Sequence, residues 1–297
     1  MRTFVRAAKP KITYRRAEAE DLDACADVLY EADDALSVSR GLPLSPRNRE
    51  ALVRLFAHMH AQYPDRWHVA EHDGRIIGFG GSAAYDELCY LGFLFVVPDL
   101  QAAGTGRRLL ELSMHHSAYR AVCIASYQPV SAALYARYGM VPRVPLYMLT
   151  GLPTRPLPAL SRGLDVHRVA ADAVERLDLE VCGLRRPHDH SWWEAMGRVR
   201  FGLFDRADLI GYGYVQAVGR LGPFVVRRGE HLLPFVGRLM AEVPADAWMI
   251  NVPGPASETF QGLLEAGLRL EGPPAIFCAT DLHIDHTRYL PASYALP

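Results

Sequence analysis

The hydrophobic positions of this chain fall into short runs closed by glycine, proline and acidic residues. Trp67-His68-Val69-Ala70 and Arg75-Ile76-Ile77-Gly78-Phe79-Gly80-Gly81 flank Glu71-His72-Asp73-Gly74, and an Asp-Gly pair between two apolar runs predicts a β-hairpin. Ile12-Thr13-Tyr14-Arg15-Arg16-Ala17 predicts an earlier strand, with a helix starting at Asp21-Leu22-Asp23. Phe93-Leu94-Phe95-Val96-Val97 is an unbroken apolar run and predicts a buried strand. It is followed by Pro98-Asp99-Leu100, by Gln101-Ala102-Ala103-Gly104-Thr105-Gly106-Arg107, and at once by the helical pattern Arg108-Leu109-Leu110-Glu111-Leu112. Ala121–Ala125 predicts a further short strand. The helix from Pro129 to Tyr138 is closed by Gly139, which suits the left-handed position at a helix end.

The pattern then repeats. Residues 151–164 contain three prolines and two glycines without helical or strand period, and predict an extended linker. Beyond it, Ile76-Ile77-Gly78-Phe79-Gly80 recurs as Leu209-Ile210-Gly211-Tyr212-Gly213. Leu91-Gly92-Phe93-Leu94-Phe95-Val96-Val97 recurs as Leu221-Gly222-Pro223-Phe224-Val225-Val226. Trp248–Val252 stands where Ala121–Ala125 stood, and Phe260–Gly267 matches the helix ending at Gly139. The order of these blocks predicts a tandem duplication of one domain.

The turn at 101–107 carries the chemistry. Two glycines one residue apart leave main-chain N–H groups unshielded, and the helix behind them adds free N–H groups and a positive dipole end. That is a seat for a phosphate or pyrophosphate, against the plainer reading of a glycine turn that only starts a helix. A P-loop is excluded because the turn ends Gly-Arg-Arg instead of Gly-Lys-Ser/Thr. A dinucleotide motif is excluded because Leu109 stands where its third glycine should be, and no acidic residue follows about 20 positions on. The pattern that fits is Gln-x-x-Gly-x-Gly after a hydrophobic strand, from Gln101, Gly104 and Gly106. In this, and in Tyr135-Ala136-Arg137-Tyr138-Gly139-Met140, residues 11–150 resemble the GNAT family of acetyl-CoA-dependent N-acetyltransferases. Met140 departs from the family's usual Phe.

The resemblance implies an α+β fold of two tandem domains, each a mixed, mostly antiparallel bent sheet flanked by helices. It places a catalytic domain at 1–150, the linker at 151–164 and a second domain at 165–297. It implies that acetyl-CoA is the co-substrate and lies where the fourth and fifth strands part. Phe95, Val96 and Val97 would line the pantetheine arm, which pairs like an extra strand. The N–H of Val96 or Val97 would stabilise the oxyanion of a tetrahedral intermediate. Gln101, Ala102, Ala103, Gly104, Thr105, Gly106, Arg107 and Arg108 would hold the pyrophosphate. Tyr135 matches the family's proton donor to the leaving thiolate, as suits a phenol of pKa about 10. The general base is open: Tyr90 holds the strand position where some members carry a carboxylate, Glu87 lies just before it, and Glu31, Asp33 and Asp34 sit near the acceptor side. In the second copy only Arg227-Arg228-Gly229-Glu230-His231 separates Val226 from Leu232-Leu233, and Leu263 replaces Tyr135. A degenerate, non-catalytic second domain is expected, which completes the core, walls the acceptor cleft or dimerises.

Composition narrows the partners. With 297 residues, 50% hydrophobic, and a net charge of −1, the chain suits two globular domains and gives no electrostatic case for nucleic acid or membrane. The basic start (Arg2, Arg6, Lys9, Lys11) has no apolar core of a signal peptide. Five scattered cysteines without Cys-x-x-Cys suit free thiols in the cytoplasm. His188-Asp189-His190 and His283-Ile284-Asp285-His286 lack metal-site spacing, so no metal is expected; Arg185-Arg186 beside Trp192-Trp193 is read as a junction of helix and core. The expected activity is direct acetyl transfer to a small-molecule or peptide amine; the alternative is a protein that binds CoA thioesters without turnover.

Overall fold

A computed structural model describes residues 11–44, 47–101, 104–114, 120–125, 128–281 and 284–296. They form two compact units, one from Met1–Ala83 with Phe93–Ser117, the other from Ala84–Gly92 with Ala118–Pro297.

The first unit starts with β1 (Thr13–Arg16), paired antiparallel with β2 (Trp67–His72), which pairs with β3 (Arg75–Tyr85). The β2–β3 turn has Asp73 at φ 49° and Gly74 at φ 75°, the double positive φ that an Asp-Gly hairpin requires. Helices α1 (Leu22–Ser39) and α2 (Arg49–Gln62) follow β1. Asn48 caps α2 by accepting the N–H of Ala51 at 3.0 Å. Arg15 grips Asp21 through both guanidinium nitrogens, and the Asp21 carboxylate also accepts the N–H of Glu18 at 2.8 Å. The core is aromatic. Phe56 of α2 meets Phe93 at 4.8 Å, Phe79 at 5.3 Å and Trp67 at 5.4 Å between ring centroids. Phe56, Trp67 and Phe79 have no exposed surface, and each contributes about 2–3 kcal/mol by burial.

β4 (Leu88–Val96) carries the chain from the second unit into the first. In the second unit its Leu88–Leu91 stretch pairs in parallel with β5 (Arg120–Ala125). After α4 (Pro129–Ala136) comes β6 (Val141–Gly151). The later elements run β7 (Leu164–Arg168), α5 (Ala171–Leu177), α6 (Pro187–Ala195), β8 (Val199–Asp205), β9 (Asp208–Gln216), β10 (Arg220–Val226), α7 (Leu232–Glu242), β11 (Trp248–Pro253), α8 (Ser257–Glu265), β12 (Arg269–Leu270), β13 (Ala275–Ala279) and β14 (Tyr289–Leu290). The order from β7 repeats that from β1, as the duplicated blocks foretell.

The last strands of the two repeats are exchanged. β6 pairs with β11 from Trp248↔Gly151 to Pro253↔Leu146, and β13, its counterpart, pairs with β5 from Ile276↔Ala125 to Ala279↔Val122. The segment 151–164 therefore separates the repeats in sequence while residues 118–150 group with the later half of the chain. An apolar strand advertises that it is buried but not which strand it pairs with, so the pattern along the chain could not show this. The linker is extended and fastened: the N–H groups of Thr154 and Arg155 donate to the Ala266 carbonyl at 2.7 and 3.2 Å.

Candidate active site

The glycine turn lies in the first unit at the junction of β4 and α3 (Thr105–Met114). Small residues on β3 let that helix approach. A Cβ on Gly80 would lie 2.7 Å from Ser113 Oγ, and one on Gly78 3.0 Å from the Phe95 carbonyl. Leu109 and Leu110 of α3 are fully buried, which fixes the helix start.

At that start the backbone is open. Arg108 donates its N–H to the Gly104 carbonyl at 3.1 Å, so the N–H groups of Thr105, Gly106 and Arg107 precede the first helical acceptor. Gly104 has φ 92°, and a Cβ there would have no neighbour within 4 Å. Thr105 is 1% exposed, yet its hydroxyl has no hydrogen-bond partner among the described residues. A left-handed glycine facing free space, a run of amides ahead of the first helical bond with no backbone acceptor among the described residues, and an orphaned buried hydroxyl fit a diphosphate. Gln101 folds back on the strand, its Nε2 donating to the Val96 carbonyl at 2.9 Å. Arg107 and Arg108 are exposed, 4.0 and 3.4 Å from Glu111, and free to swing toward an anion. Phe95 stacks on Phe79 at 5.8 Å. Ala102 and Ala103 lie outside the described residues.

One expectation narrows. Val97 donates its N–H to the Ile77 carbonyl at 2.9 Å, so it is not free for an oxyanion. Successive N–H groups of a strand point to opposite edges, which turns the Val96 N–H away from β3.

Tyr135, Tyr90 and Glu87 belong to the second unit. Tyr135 is on α4 and 5% exposed; its carbonyl accepts the N–H groups of Tyr138 and Met140, and Gly139 closes the turn at φ 81°. Tyr90 is fully buried and donates its hydroxyl to the Tyr294 carbonyl at 3.0 Å. A phenol that spends its proton on a main-chain oxygen is anchored, not set to receive a proton from an amine. Glu87 is exposed in the β3–β4 turn. With Asp86, Leu88, Leu179, Cys182, Gly183 and Arg185 it lines a cavity of about 330 Å³. Asp86 accepts the N–H of Arg185 at 3.1 Å. Of the carboxylates on the first helix, Glu31 is held by Arg75 at 2.5 Å and Asp34 by Arg47. Cys25 and Cys182 are buried, and burial pushes both thiols up to about 12, out of the range of a thiolate nucleophile.

A second polar cluster was legible only in fragments. Asp178 opens a π turn (Asp178–Cys182) and is fully buried with Arg186, His190 and Tyr212. Arg186 Nη2 donates to Asp178 Oδ1 at 2.8 Å and to Tyr212 Oη at 2.7 Å; His190 Nε2 lies 2.7 Å from Asp178 Oδ2. His190 Nδ1 meets Tyr214 at 2.8 Å, and Arg200 joins Tyr214 to Glu194. Burial alone would raise the Asp178 carboxyl, but the Arg186 charge and the His190 bond carry it below the usual range. Burial lifts Asp189 to about 7 against the opposing pull of Arg186 and of the Tyr85 hydroxyl, which donates to it at 2.9 Å. The sequence pattern placed Arg186 at a junction of helix and core and gave His190 a structural or solvent role in place of a metal one. It missed Asp178 and the tyrosines; the signal was Tyr212, standing in the repeat where the first copy has Phe79. Among the described residues no group of three or more His, Cys, Asp or Glu could hold a metal ion, and no helix is long and apolar enough to cross a membrane.

A strand, glycine turn and helix, followed by a second repeat of the same element order without that turn, defines a class, and the comparisons agree. Residues 64–141 match the acetyltransferase (GNAT) domain family. The fold resembles that of a Pyrococcus horikoshii protein provisionally assigned as an acetyltransferase, at 18% identity and TM-score 0.74 over 96% of both chains. It also resembles a tandem GNAT protein from the clavulanic acid biosynthesis pathway, at 18% identity and TM-score 0.58 over 92% of this chain and 99% of that one. The mycothiol acetyltransferase of Kytococcus sedentarius is 32% identical over 146 residues, 47% of this chain and 44% of that protein, so the chain matches less than half of this curated relative. Residues 64–141 thus carry a GNAT domain match, and the whole chain has the fold of a tandem GNAT protein.

Proposed function

We propose that this chain is an acetyl-CoA-dependent N-acetyltransferase, with the chemistry in the first repeat and a degenerate second repeat. The observation that carries this reading is the start of α3, where Gly104 faces free space beside the Thr105 hydroxyl and the Thr105–Arg107 amides, which have no partner among the described residues. Acetyl-CoA, when bound, supplies an activated acetyl thioester. The amides grip its diphosphate, Arg107 and Arg108 add charge, and the Val96 N–H is the donor for the thioester oxygen. An unprotonated amine attacks the carbonyl carbon; the C–N bond forms, the C–S bond breaks, and Tyr135 gives its proton to the departing sulfur. Glu87 is the candidate to take the ammonium proton through water. No acyl-enzyme is needed, in keeping with thiols at Cys25 and Cys182 that stay protonated. The acceptor is an amine of a small molecule or peptide. Because a relative of part of the chain is a mycothiol acetyltransferase, amines related to mycothiol join the panel to try.

A second reading, a CoA-thioester binder without turnover, is favoured by the commitment of the Tyr90 hydroxyl to Tyr294. Thiol release from acetyl-CoA across a panel of amines separates the two. Transfer predicts release that depends on the amine and falls about 100-fold in Tyr135→Phe with CoA affinity unchanged. Binding without amine-dependent release at any pH between 6 and 9 would leave only the sensor.

A further inference from the structure

The stretch that follows β13 fills an opening in the second repeat. β10 and β11 share one parallel pair, Arg220↔Met249, and then part. Along the freed edge of β10 the chain lays its own strand: Phe224 pairs with Leu290 and Val225 with Tyr289, both from β14. The Val226 N–H donates to the Arg288 carbonyl at 3.0 Å, and Arg288 Nη1 donates to the Arg227 carbonyl at 3.3 Å. Leu290 and Tyr289 are buried, and Tyr289 receives Arg186 Nη1 at 3.2 Å. At the short loop that replaces the glycine turn, the Thr287 carbonyl sits 2.6 Å from the place of a Cβ on Gly229. Asp285 braces the approach by accepting from Thr287 N at 3.0 Å and Arg288 Nε at 2.6 Å. The same segment ends on β4, where the Tyr294 carbonyl takes the hydroxyl of Tyr90.

We infer that residues 285–294 are a built-in strap that occupies the strand opening of the second repeat in place of a thioester ligand and, through the Tyr294 carbonyl, makes Tyr90 a positioning residue for the amine acceptor. The role of Tyr90 rests on the proposed acetyltransferase reading; the occupancy of the opening does not. Five residues lie between Arg288 and Tyr294, and both ends are hydrogen-bonded to the protein, so loosening β14 releases Tyr90. Main-chain pairing along Phe224–Val226 is what an extended amide ligand would otherwise supply, and the strap supplies it without one.

Amide hydrogen exchange on the full chain, with and without CoA, tests the occupancy. Saturating CoA is expected to slow exchange at Val96 and over 104–108 and leave 224–231 unchanged. Leu290→Asp is expected to speed exchange at Phe224 and Val226, the β10 amides that face β14, at least about tenfold while the CoA effect at 104–108 persists. Protection of 224–231 by CoA in the parent chain, or unaltered exchange at Phe224 and Val226 in the variant, overturns the strap. Should Leu290→Asp fail to fold, Arg288→Ala is read in its place, with exchange at Val226 as the signal. Kinetics test Tyr90. Tyr90→Phe is expected to raise KM for the acceptor about threefold to tenfold, with KM for acetyl-CoA unchanged and a small fall in Tm from the lost Tyr294 bond, and combination with the strap variant adds nothing further. An unchanged acceptor KM, or an equal rise in both KM values, overturns the positioning role. If CoA protects neither region and no thiol is released, the acetyltransferase reading fails while the exchange of the strap variant still decides the occupancy.

Discussion

The two repeats solve one backbone problem alike and use the result differently. In the first, Gly78 and Gly80 let α3 close onto β3; in the second, Gly211 and Gly213 do the same, a Cβ on Gly213 falling 2.5 Å from Phe224 and 3.1 Å from Leu239 of α7. The residues around those glycines diverge. Trp67 opposes Gly81 in the first repeat, whose ring-packed core is apolar; Arg200 opposes Tyr214 in the second, where Tyr212 takes the place of Phe79 and donates to Asp178 at 2.5 Å. One copy keeps an open anion seat over an aromatic core. The other closes its opening with its own chain and holds buried charge. Glycine spacing thus preserves the frame, and the side chains between the glycines decide what the frame is used for.

The largest effect expected is on the charged core of the second repeat. Arg186→Met leaves Asp178 buried without its main counter-charge and should cost about 3–5 kcal/mol, read as a fall in Tm of the full chain. Adding Asp178→Leu removes the stranded charge and should recover much of the loss. A single variant that melts with the parent would show that the cluster contributes no more than a surface pair, and the contrast between the cores would lose its energetic meaning.

Next comes the anion seat. Gly104→Val adds a side chain in a backbone region that β-branched residues avoid, and it projects into the space reserved for a diphosphate. CoA affinity should fall about 100-fold, the loss of one or two charge-assisted hydrogen bonds at about 1.5–3 kcal/mol each. Gly229→Ala, in the second repeat, meets the Thr287 carbonyl and should lower Tm while CoA affinity holds. Calorimetric titration of both variants sharpens the comparison; equal loss of affinity in the two would mean that the second repeat also takes part in CoA binding.

Much of this was legible along the chain, and what was not has a physical reason. The Asp73-Gly74 hairpin, the apolar strand before Gly104 and the helix closed at Gly139 are local: each is written in residues a few positions apart, and each forms. The duplication was legible because Gly78/Gly80 and Gly211/Gly213 are tied to helix–sheet distance, which leaves no other residue a choice. The exchange of β6 and β13 was not, because burial fixes a strand's composition without naming its partner. The committed amide of Val97 and the anchoring of Tyr90 by Tyr294 were hidden for the same reason: both depend on which main-chain carbonyl arrives from far along the sequence. Asp178 was missed because a lone acidic residue in an acidic helix, Asp172 to Glu180, reads as solvated surface.

The smallest effect separates the cores by pH. Asp189 is 2% exposed, and burial raises it to about 7 although Arg186 and Tyr85 favour its charge. Its folded-state value lies above the unfolded one near 3.8, so the folded chain holds the extra proton between them. By linkage, the stability from this group is complete below about pH 4 and is lost as pH rises through about 7. Asp178 works the other way and only in acid, since its carboxyl is held below the usual range, while His190, kept neutral by burial against the pull of Asp178, adds stability as pH rises toward 6.5. Asp189→Asn retains an acceptor for Tyr85 and removes one titration, leaving Asp178, Arg186 and His190 as they were. The parent should therefore lose about 2–3 kcal/mol relative to the variant between pH 5 and 8, measured as the difference of their denaturant midpoints at each pH. Parallel profiles over that range would mean that Asp189 is ionised throughout, and that the second repeat tolerates one more buried charge than its hydrogen bonds account for.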